Sequence, residues 1–152
     1  ASGKVNQDLL NVLLQDPYFN LTAPKSTGRE YFNAHWLAQF SLPLKHRPAD
    51  VQATLSQLTA TSIAQEITKL SQHSTVYVCG GGTYNNTLIS MLKKELPTHS
   101  ILNTHTENID SDSLEAMAFA WLGYAFDKNI YGNIPAATGA RKKAVLGISV
   151  EP

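Results

Sequence analysis

The sequence has 152 residues, of which 43% are hydrophobic, and this fits a single folded domain and excludes a disordered chain. Twelve basic residues balance twelve acidic ones, so no net charge favours a nucleic acid or an anionic membrane as partner. The single cysteine, Cys79, excludes an internal disulfide, and the lack of a long apolar run or a signal-peptide pattern favours a cytoplasmic protein without membrane contact.

The first half of the chain is helical in its apolar spacing. It predicts helices over residues 5–15, 29–39 and 50–70, with a loop over residues 20–28. Asp16-Pro17 should end the first helix, because a residue before proline leaves the helical conformation. Phe32 and Trp36 should be buried by the second helix. Several threonines lower the propensity of the third helix.

The second half alternates between strand and helix patterns. It predicts strands over residues 75–79, 100–103 and 144–150, helices over residues 85–96 and from a cap at Ser111 or Ser113, and a loop over residues 130–139. The last helix should bury Leu114, Met117, Ala118, Trp121, Leu122, Ala125 and Phe126. This order predicts a helix-rich α/β fold with a small, mainly parallel sheet.

The strongest candidate site is the glycine turn at Gly80, Gly81 and Gly82, between a predicted strand and a predicted helix. Without Cβ atoms the backbone can approach a ligand, and the N-terminus of the next helix favours phosphate. An ordinary tight turn is the alternative. The Walker A lysine and the dinucleotide-binding glycine spacing are absent, so the turn predicts a ligand without naming it.

A second candidate site is the run Lys25-Ser26-Thr27-Gly28-Arg29-Glu30. Lys25 and Arg29 supply positive charge and Ser26 and Thr27 supply hydroxyls, a set that can bind an anion or sugar hydroxyls. The alternative is structural, with Ser26 or Thr27 capping the next helix and Glu30 closing a capping box with Thr27.

Three further residue types could take part in chemistry. Glu115 begins a predicted helix, where it either stabilises the helix dipole or serves as a pocket carboxylate. The five histidines have no metal-ligand spacing, so no metal site is predicted. Cys79 is expected to be a small buried side chain rather than a nucleophile.

Several motifs occur in an order typical of one family. They are Asp16-Pro17-Tyr18-Phe19, the run from Pro24 to Glu30, Cys79-Gly80-Gly81-Gly82, Glu115 with Ala118-Phe119-Ala120-Trp121-Leu122, and Gly132-Asn133-Ile134-Pro135. Together they resemble the C-terminal part of the anhydro-N-acetylmuramic acid kinases. The resemblance covers nearly the whole chain, and the runs from Lys25 to Glu30 and from Glu115 to Leu122 are its most specific parts.

The resemblance implies the C-terminal portion of an actin-like ATPase (ribonuclease H-like) domain, with residues 1–152 as one partial domain of a two-domain kinase. The implied enzyme uses ATP and Mg²⁺ to phosphorylate 1,6-anhydro-N-acetylmuramic acid on O6 while water opens the anhydro ring. The product, N-acetylmuramic acid 6-phosphate, belongs to peptidoglycan recycling. A cytoplasmic homodimer is also implied.

Carried over by position, the resemblance assigns Gly80, Gly81, Gly82 and Asn85 to ATP binding and places Glu115 near the sugar or its attacking water. The family's catalytic aspartate belongs to an Asp-Thr-Gly-Pro motif that is absent here, as is the phosphate-binding hairpin of the N-terminal half. We therefore expect the chain to need that missing half and to be inactive alone.

Three residues depart from the family pattern, because His105 replaces a usual aspartate and Asn108 and Ser111 replace usual glycines. Two alternatives also stay open: a non-catalytic nucleotide- or sugar-binding module, and a related sugar kinase with another substrate. An incomplete kinase predicts an exposed apolar patch and an unpaired sheet edge, whereas a stand-alone module predicts a closed polar surface.

Overall fold

A computed structural model describes residues 3–40 and 46–150 of the chain. Within these ranges the helices are α1 (Gln7–Leu13), α2 (Pro17–Asn20), α3 (Ala34–Ala38), α4 (Pro48–Leu70), α5 (Asn86–Glu95), α6 (Leu114–Asp127) and α7 (Pro135–Thr138). The strands are β1 (Thr75–Val78) and β2 (Ser100–Asn103), and 3₁₀ turns cover Gly81–Tyr84 and Thr104–Glu107.

The predicted small parallel sheet is confirmed. β1 and β2 pair in parallel, with Thr75 opposite Ser100 and Val78 opposite Asn103, and α5 supplies the crossover that parallel strands require. One core cluster lies between this unit and α4, and its buried members are Ala60, Ala64, Leu92, Leu96 and Ile101. Since the two α4 residues are alanines, α4 can approach α5 closely.

A second core cluster joins the N-terminal helices to α4. Its buried members are Leu9, Leu10, Leu13, Trp36 and Leu58. Asp16 lies beside this cluster with only 8% of its surface exposed. Its carboxylate accepts hydrogen bonds from the Trp36 indole at 2.8 Å, the Tyr31 hydroxyl at 2.9 Å and the Tyr18 N–H at 2.9 Å. These bonds tie α2 to α3.

The long helix α4 runs unbroken over 23 residues despite its threonines. Their hydroxyls donate to carbonyls one turn earlier: Thr54 to Asp50, Thr59 to Leu55 and Thr68 to Ala64. Such bonds satisfy the hydroxyl without removing the helical backbone bond. Burial of Ala53, Thr54 and Leu58 against α1 and its neighbours then outweighs the low propensity.

The predicted helix over residues 29–39 is only partly correct. Turns occupy residues 29–33, and α3 begins after Asn33, whose side chain accepts the Trp36 N–H at 3.0 Å. The predicted capping box of Thr27 and Glu30 is therefore wrong, because Asn33 is the better-placed cap. Of the two aromatic side chains expected to be buried, Trp36 is buried and Phe32 is partly buried, and their ring centroids lie 4.9 Å apart.

The predicted strand over residues 144–150 is wrong. Ala144 instead bonds to the preceding loop, since its N–H donates to Asn133 Oδ1 at 2.7 Å and its carbonyl accepts the Gly132 N–H at 3.0 Å. Gly147 has a φ of 115°, which interrupts an extended strand. The short helices α2 and α7 were not predicted, and both start with a proline, which fits the first position of a helix.

The predicted buried face of α6 is also wrong. Of its residues only Ala125 is buried, while Met117 is 55% and Trp121 50% exposed. Ser113 occupies the cap position without a side-chain bond to the helix, and Ser111 is buried upstream of it. Helix α6 is thus apolar on a face that nothing in the described ranges covers.

The sheet also has free edges, since β1 and β2 pair only with each other among the described residues. None of the helices in residues 3–40 and 46–150 combines the length and apolar character needed to cross a bilayer.

Candidate functional site

The glycine turn starts where β1 ends. Gly80 has a φ of 72°, a left-handed conformation that favours glycine, and its N–H donates to the Ser111 carbonyl at 3.1 Å. Gly81 and Gly82 begin the 3₁₀ turn that ends at Tyr84. A Cβ placed on any of the three glycines meets no atom within 4 Å. The backbone is therefore open to an approaching group.

A pocket of about 280 Å³ lies between the glycine turn and the start of α6. Its lining residues are Cys79, Gly80, Gly81, Ser111, Asp112, Leu114 and Glu115. The structure thus brings two predicted candidates, the glycine turn and Glu115, into one pocket. Cys79 is exposed there, which corrects the expectation of a buried thiol.

The other two residues assigned to the nucleotide lie outside the lining of this pocket. Gly82 is exposed in the 3₁₀ turn. Asn85 caps α5, because its side chain accepts the Leu88 N–H at 3.1 Å. This bond uses one of the free donors that the sequence pattern offered to a phosphate.

Acidic side chains surround the pocket. The Tyr84 hydroxyl donates to Asp112 Oδ2 at 2.8 Å, and this hydrogen bond raises the pKa of Tyr84. Asp110 accepts the Ser113 hydroxyl at 2.7 Å and the Asp112 N–H at 3.1 Å, and these bonds lower the pKa of Asp110. Glu115 lies in the first turn of α6, where the helix dipole stabilises a carboxylate.

Lys25 is held by protein groups. Its Nζ lies 2.8 Å from Glu66 Oε1 and 5.0 Å from the centre of the Tyr18 ring, and 11% of its side chain is exposed. Lys69 also lies 2.8 Å from Glu66 Oε1. Hydrogen bonds from Lys25 and then Lys69 lower the pKa of Glu66. The ammonium group of Lys25 therefore joins the loop to α4.

The remaining candidates of this run, Ser26, Thr27 and Arg29, are exposed. Thr27 and Lys25 line a cavity of about 700 Å³ whose other walls are largely aromatic and aliphatic side chains of α2, α3 and α4. Lys25 and Arg29 thus differ in their surroundings, and the structure does not gather the four residues around one point.

Four residues whose side chains make structural hydrogen bonds were missed in the sequence analysis. Asp16 could have been found, because an aspartate before a proline is a common N-cap signal. Glu66 could not, since its bond to Lys25 spans 41 positions along the chain. Asp112 and Tyr84 were likewise missed, being 28 positions apart.

Comparison with known proteins gives a consistent result. A family model described as "Anhydro-N-acetylmuramic acid kinase" matches residues 1–152. Curated relatives with that name include one from Shewanella pealeana, 46% identical over 147 residues, and one from Shewanella baltica, 47% identical over 148 residues. A relative from Saccharophagus degradans is 45% identical over 150 residues.

These alignments cover 96% to 97% of this chain but 40% of each relative. The chain thus spans about 40% of the length of the curated relatives that it matches. Because the family model matches the full sequence, the chain belongs to the anhydro-N-acetylmuramic acid kinase family.

Proposed function

We propose that this chain is the C-terminal part of an enzyme that uses ATP to phosphorylate 1,6-anhydro-N-acetylmuramic acid on O6 during cell-wall recycling. Water adds to the anomeric carbon, the bond from that carbon to O6 breaks, and the released O6 takes the terminal phosphoryl group. The products are N-acetylmuramic acid 6-phosphate and ADP. Family membership supports this reaction, and the open glycine turn is the feature of this chain that fits it.

The glycine turn is proposed to contact the nucleotide. Apart from chain neighbours, no described atom lies within 4 Å of a Cβ built on Gly80, Gly81 or Gly82, so a ligand can reach backbone N–H groups. Gly82 and Asn85 lie on the α5 side of the turn and would contact a neighbouring part of the same ligand. A side chain added to this backbone would occupy the ligand's position rather than strike the protein.

Glu115 is proposed to face the sugar or its attacking water from the wall of the same pocket. The base that removes the water proton is proposed to be the aspartate of the family's Asp-Thr-Gly-Pro motif, which this sequence does not contain. We therefore expect no turnover from this chain by itself.

Mg²⁺ normally accompanies ATP in phosphoryl transfer and takes most of its ligands from phosphates and water. In the described part of the chain no group of three His, Cys, Asp or Glu side chains could hold a metal ion. One or two carboxylates are enough for Mg²⁺ beside a nucleotide, so no step is assigned here to a metal held by these residues.

The exposed face of α6 is proposed to pack against the rest of the enzyme. Phe119, Trp121 and Tyr124 are each at least half exposed, and an apolar area of this kind marks an interaction surface. The curated relatives are longer than this chain, so the same polypeptide offers the covering segment. This face also favours an incomplete kinase over a stand-alone binding module. We further propose that this chain is part of an actin-like domain and that the full-length enzyme is a cytoplasmic homodimer.

The test is ADP release from ATP in the presence of the anhydro sugar, measured for the full-length enzyme and for this chain alone. We expect turnover by the former and none by the latter. A full-length enzyme that binds ATP but ignores this sugar would overturn the substrate. Turnover by this chain alone would show that the proposed base is not required.

The nucleotide contact has a matched control. Gly81→Ala adds one methyl group to a position with no described atom within 4 Å, so it should not disturb packing. We expect Gly81→Ala to raise the Kd for ATP at least about tenfold, because a methyl group blocks close backbone approach. Gln52→Ala, at an exposed position of α4, should leave the Kd unchanged. Equal effects of the two substitutions would contradict the assignment.

A further inference from the structure

The wall of the 280 Å³ pocket contains a buried hydroxyl group that has no partner. Ser111 is 2% exposed, and its Oγ makes no hydrogen bond to any atom of residues 3–40 and 46–150. The Ser111 hydroxyl lies close enough to the Tyr84 phenol to lower its pKa slightly, but the two oxygens do not meet the geometry of a hydrogen bond, and the phenol donates its own proton to Asp112. A buried hydroxyl without a partner is unfavourable, so a ligand in the pocket is the natural source of one.

Backbone donors point to the same place. The first-turn N–H groups of Leu114 and Glu115 belong to a 14-residue helix whose cap, Ser113, makes no side-chain bond to them. The N–H group of Gly81, which also lines the pocket, begins the 3₁₀ turn and has no acceptor among the described atoms. The pocket therefore offers several hydrogen-bond donors from two different elements.

Acceptors are present as well, and their charge decides the class of ligand. Asp112 and Glu115 both line the pocket, and Tyr84 occupies only Oδ2 of Asp112, leaving Oδ1 available. Two carboxylates in the wall of the same pocket would repel a phosphate. A neutral hydroxyl group, by contrast, donates to a carboxylate and accepts from an N–H or another hydroxyl in the same position.

We propose that Ser111 and Asp112 form a subsite for the hydroxyl groups of a sugar ring, with Asp112 Oδ1 as acceptor and the Ser111 hydroxyl as donor. Tyr84 holds the Asp112 carboxylate in place. The ring is either the ribose of the nucleotide or the acceptor sugar, since both present hydroxyls on adjacent carbons. This subsite rests on the proposed function and names the part of the ligand that the pocket holds.

The test uses the full-length enzyme and equilibrium binding, so that it does not depend on turnover. Asp112→Asn keeps an acceptor for Tyr84 but removes the charge, and we expect the Kd of the bound ring to rise about tenfold. If the pocket held a phosphate instead, the same change would remove repulsion and lower the Kd for ATP. That result would overturn the proposal.

Ser111→Ala separates binding from folding. It removes an unpartnered buried group, so the Tm of the free enzyme should rise or stay constant, while the Kd of the ligand should increase several-fold. Among the described residues Thr104 also carries an unpartnered buried hydroxyl, and it is not one of the residues that line this pocket. Thr104→Val is therefore the matched control, with the same effect on Tm and none on binding.

Two ligand pairs identify the ring. If ribose is bound, 2′-deoxy-ATP should bind the wild type more weakly than ATP, and Asp112→Asn should remove this difference. If the acceptor sugar is bound, the substitutions should raise the Kd of the sugar and leave that of ATP unchanged. Unchanged Kd values for both ligands would overturn the subsite, while wild-type turnover would still support the proposed function.

Discussion

Replacing Asp16 tests the account of how the N-terminal helices are held together. The carboxylate is nearly buried and accepts hydrogen bonds from the Trp36 indole, the Tyr31 hydroxyl and the Tyr18 N–H. In Asp16→Ala the indole N–H of Trp36, which is itself 6% exposed, loses its acceptor. The N-cap of α2 is lost with it.

The expected loss can be worked from these bonds. A buried donor left without a partner costs about 1–3 kcal/mol, and removal of an N-cap costs about 1 kcal/mol. We therefore expect Asp16→Ala to lower the free energy of unfolding by about 3 kcal/mol. Asp16→Asn retains an acceptor and should cost about 1 kcal/mol. Gln52→Ala, at an exposed position of α4, should change it by less than about 0.5 kcal/mol.

The measurement is urea unfolding of this chain and its variants at several pH values. Burial raises the pKa of Asp16, but hydrogen bonds from Trp36, Tyr18 and Tyr31 outweigh burial and hold the pKa below its ordinary value. A lowered folded-state pKa gives stability at pH values above the unfolded-state pKa, and this stability disappears as the pH falls through the folded-state value. The difference between wild type and Asp16→Asn should shrink accordingly.

A loss below about 1 kcal/mol for Asp16→Ala at neutral pH would refute this reasoning. So would a gap between wild type and Asp16→Asn that widens as the pH falls. Trp36→Phe offers a further check, because it keeps an aromatic ring but removes the indole donor. Asp16→Ala should cost less in that background, as expected for two groups that interact directly.

Two further predictions use matched pairs. Lys25→Met should lower the free energy of unfolding by about 1 kcal/mol and Lys69→Met by less than about 0.5 kcal/mol. Both lysines bond the same oxygen of Glu66, but Lys25 is far less exposed. Equal losses of the two variants in urea unfolding would contradict this. Gly80→Ala should cost about 1–2 kcal/mol because of its left-handed backbone, whereas Gly81→Ala should be neutral, and thermal unfolding checks both.

Much of the fold follows from local patterns. The helical spacing of residues 50–70 and the strand–helix–strand order around α5 predict α4, β1, α5 and β2, because these elements bury one regular face against each other. The ends of helices are harder to predict where a side-chain cap sets them. Asn33 begins α3, for example, although Ser26 and Thr27 are equally plausible caps in the sequence.

Helix α6 shows why the pattern can mislead. Its apolar residues extend around the helix, so no single stripe marks the buried side. The last apolar run, over residues 144–150, reads as a strand but has no neighbouring strand among the described residues. Strand pairing is non-local, and a sequence pattern predicts the capacity to pair rather than the presence of a partner.

The candidate site divides in the same way. The glycine turn and Glu115 were predicted because each has a local signal: a glycine run after a strand and an acid at a helix start. Local spacing could not predict that both line one pocket, because this depends on the packing of the start of α6 against the glycine turn that follows β1. The same packing places Tyr84 beside Asp112 and leaves the Ser111 hydroxyl without a partner among the described residues.

The most direct test of the central claim is the mass of the product formed by the full-length enzyme from ATP and 1,6-anhydro-N-acetylmuramic acid. The account predicts a product heavier than the sugar by one water and one phosphoryl group, because ring opening and phosphoryl transfer occur together. A product that has gained the phosphoryl group without water, or recovery of unchanged sugar, would contradict it.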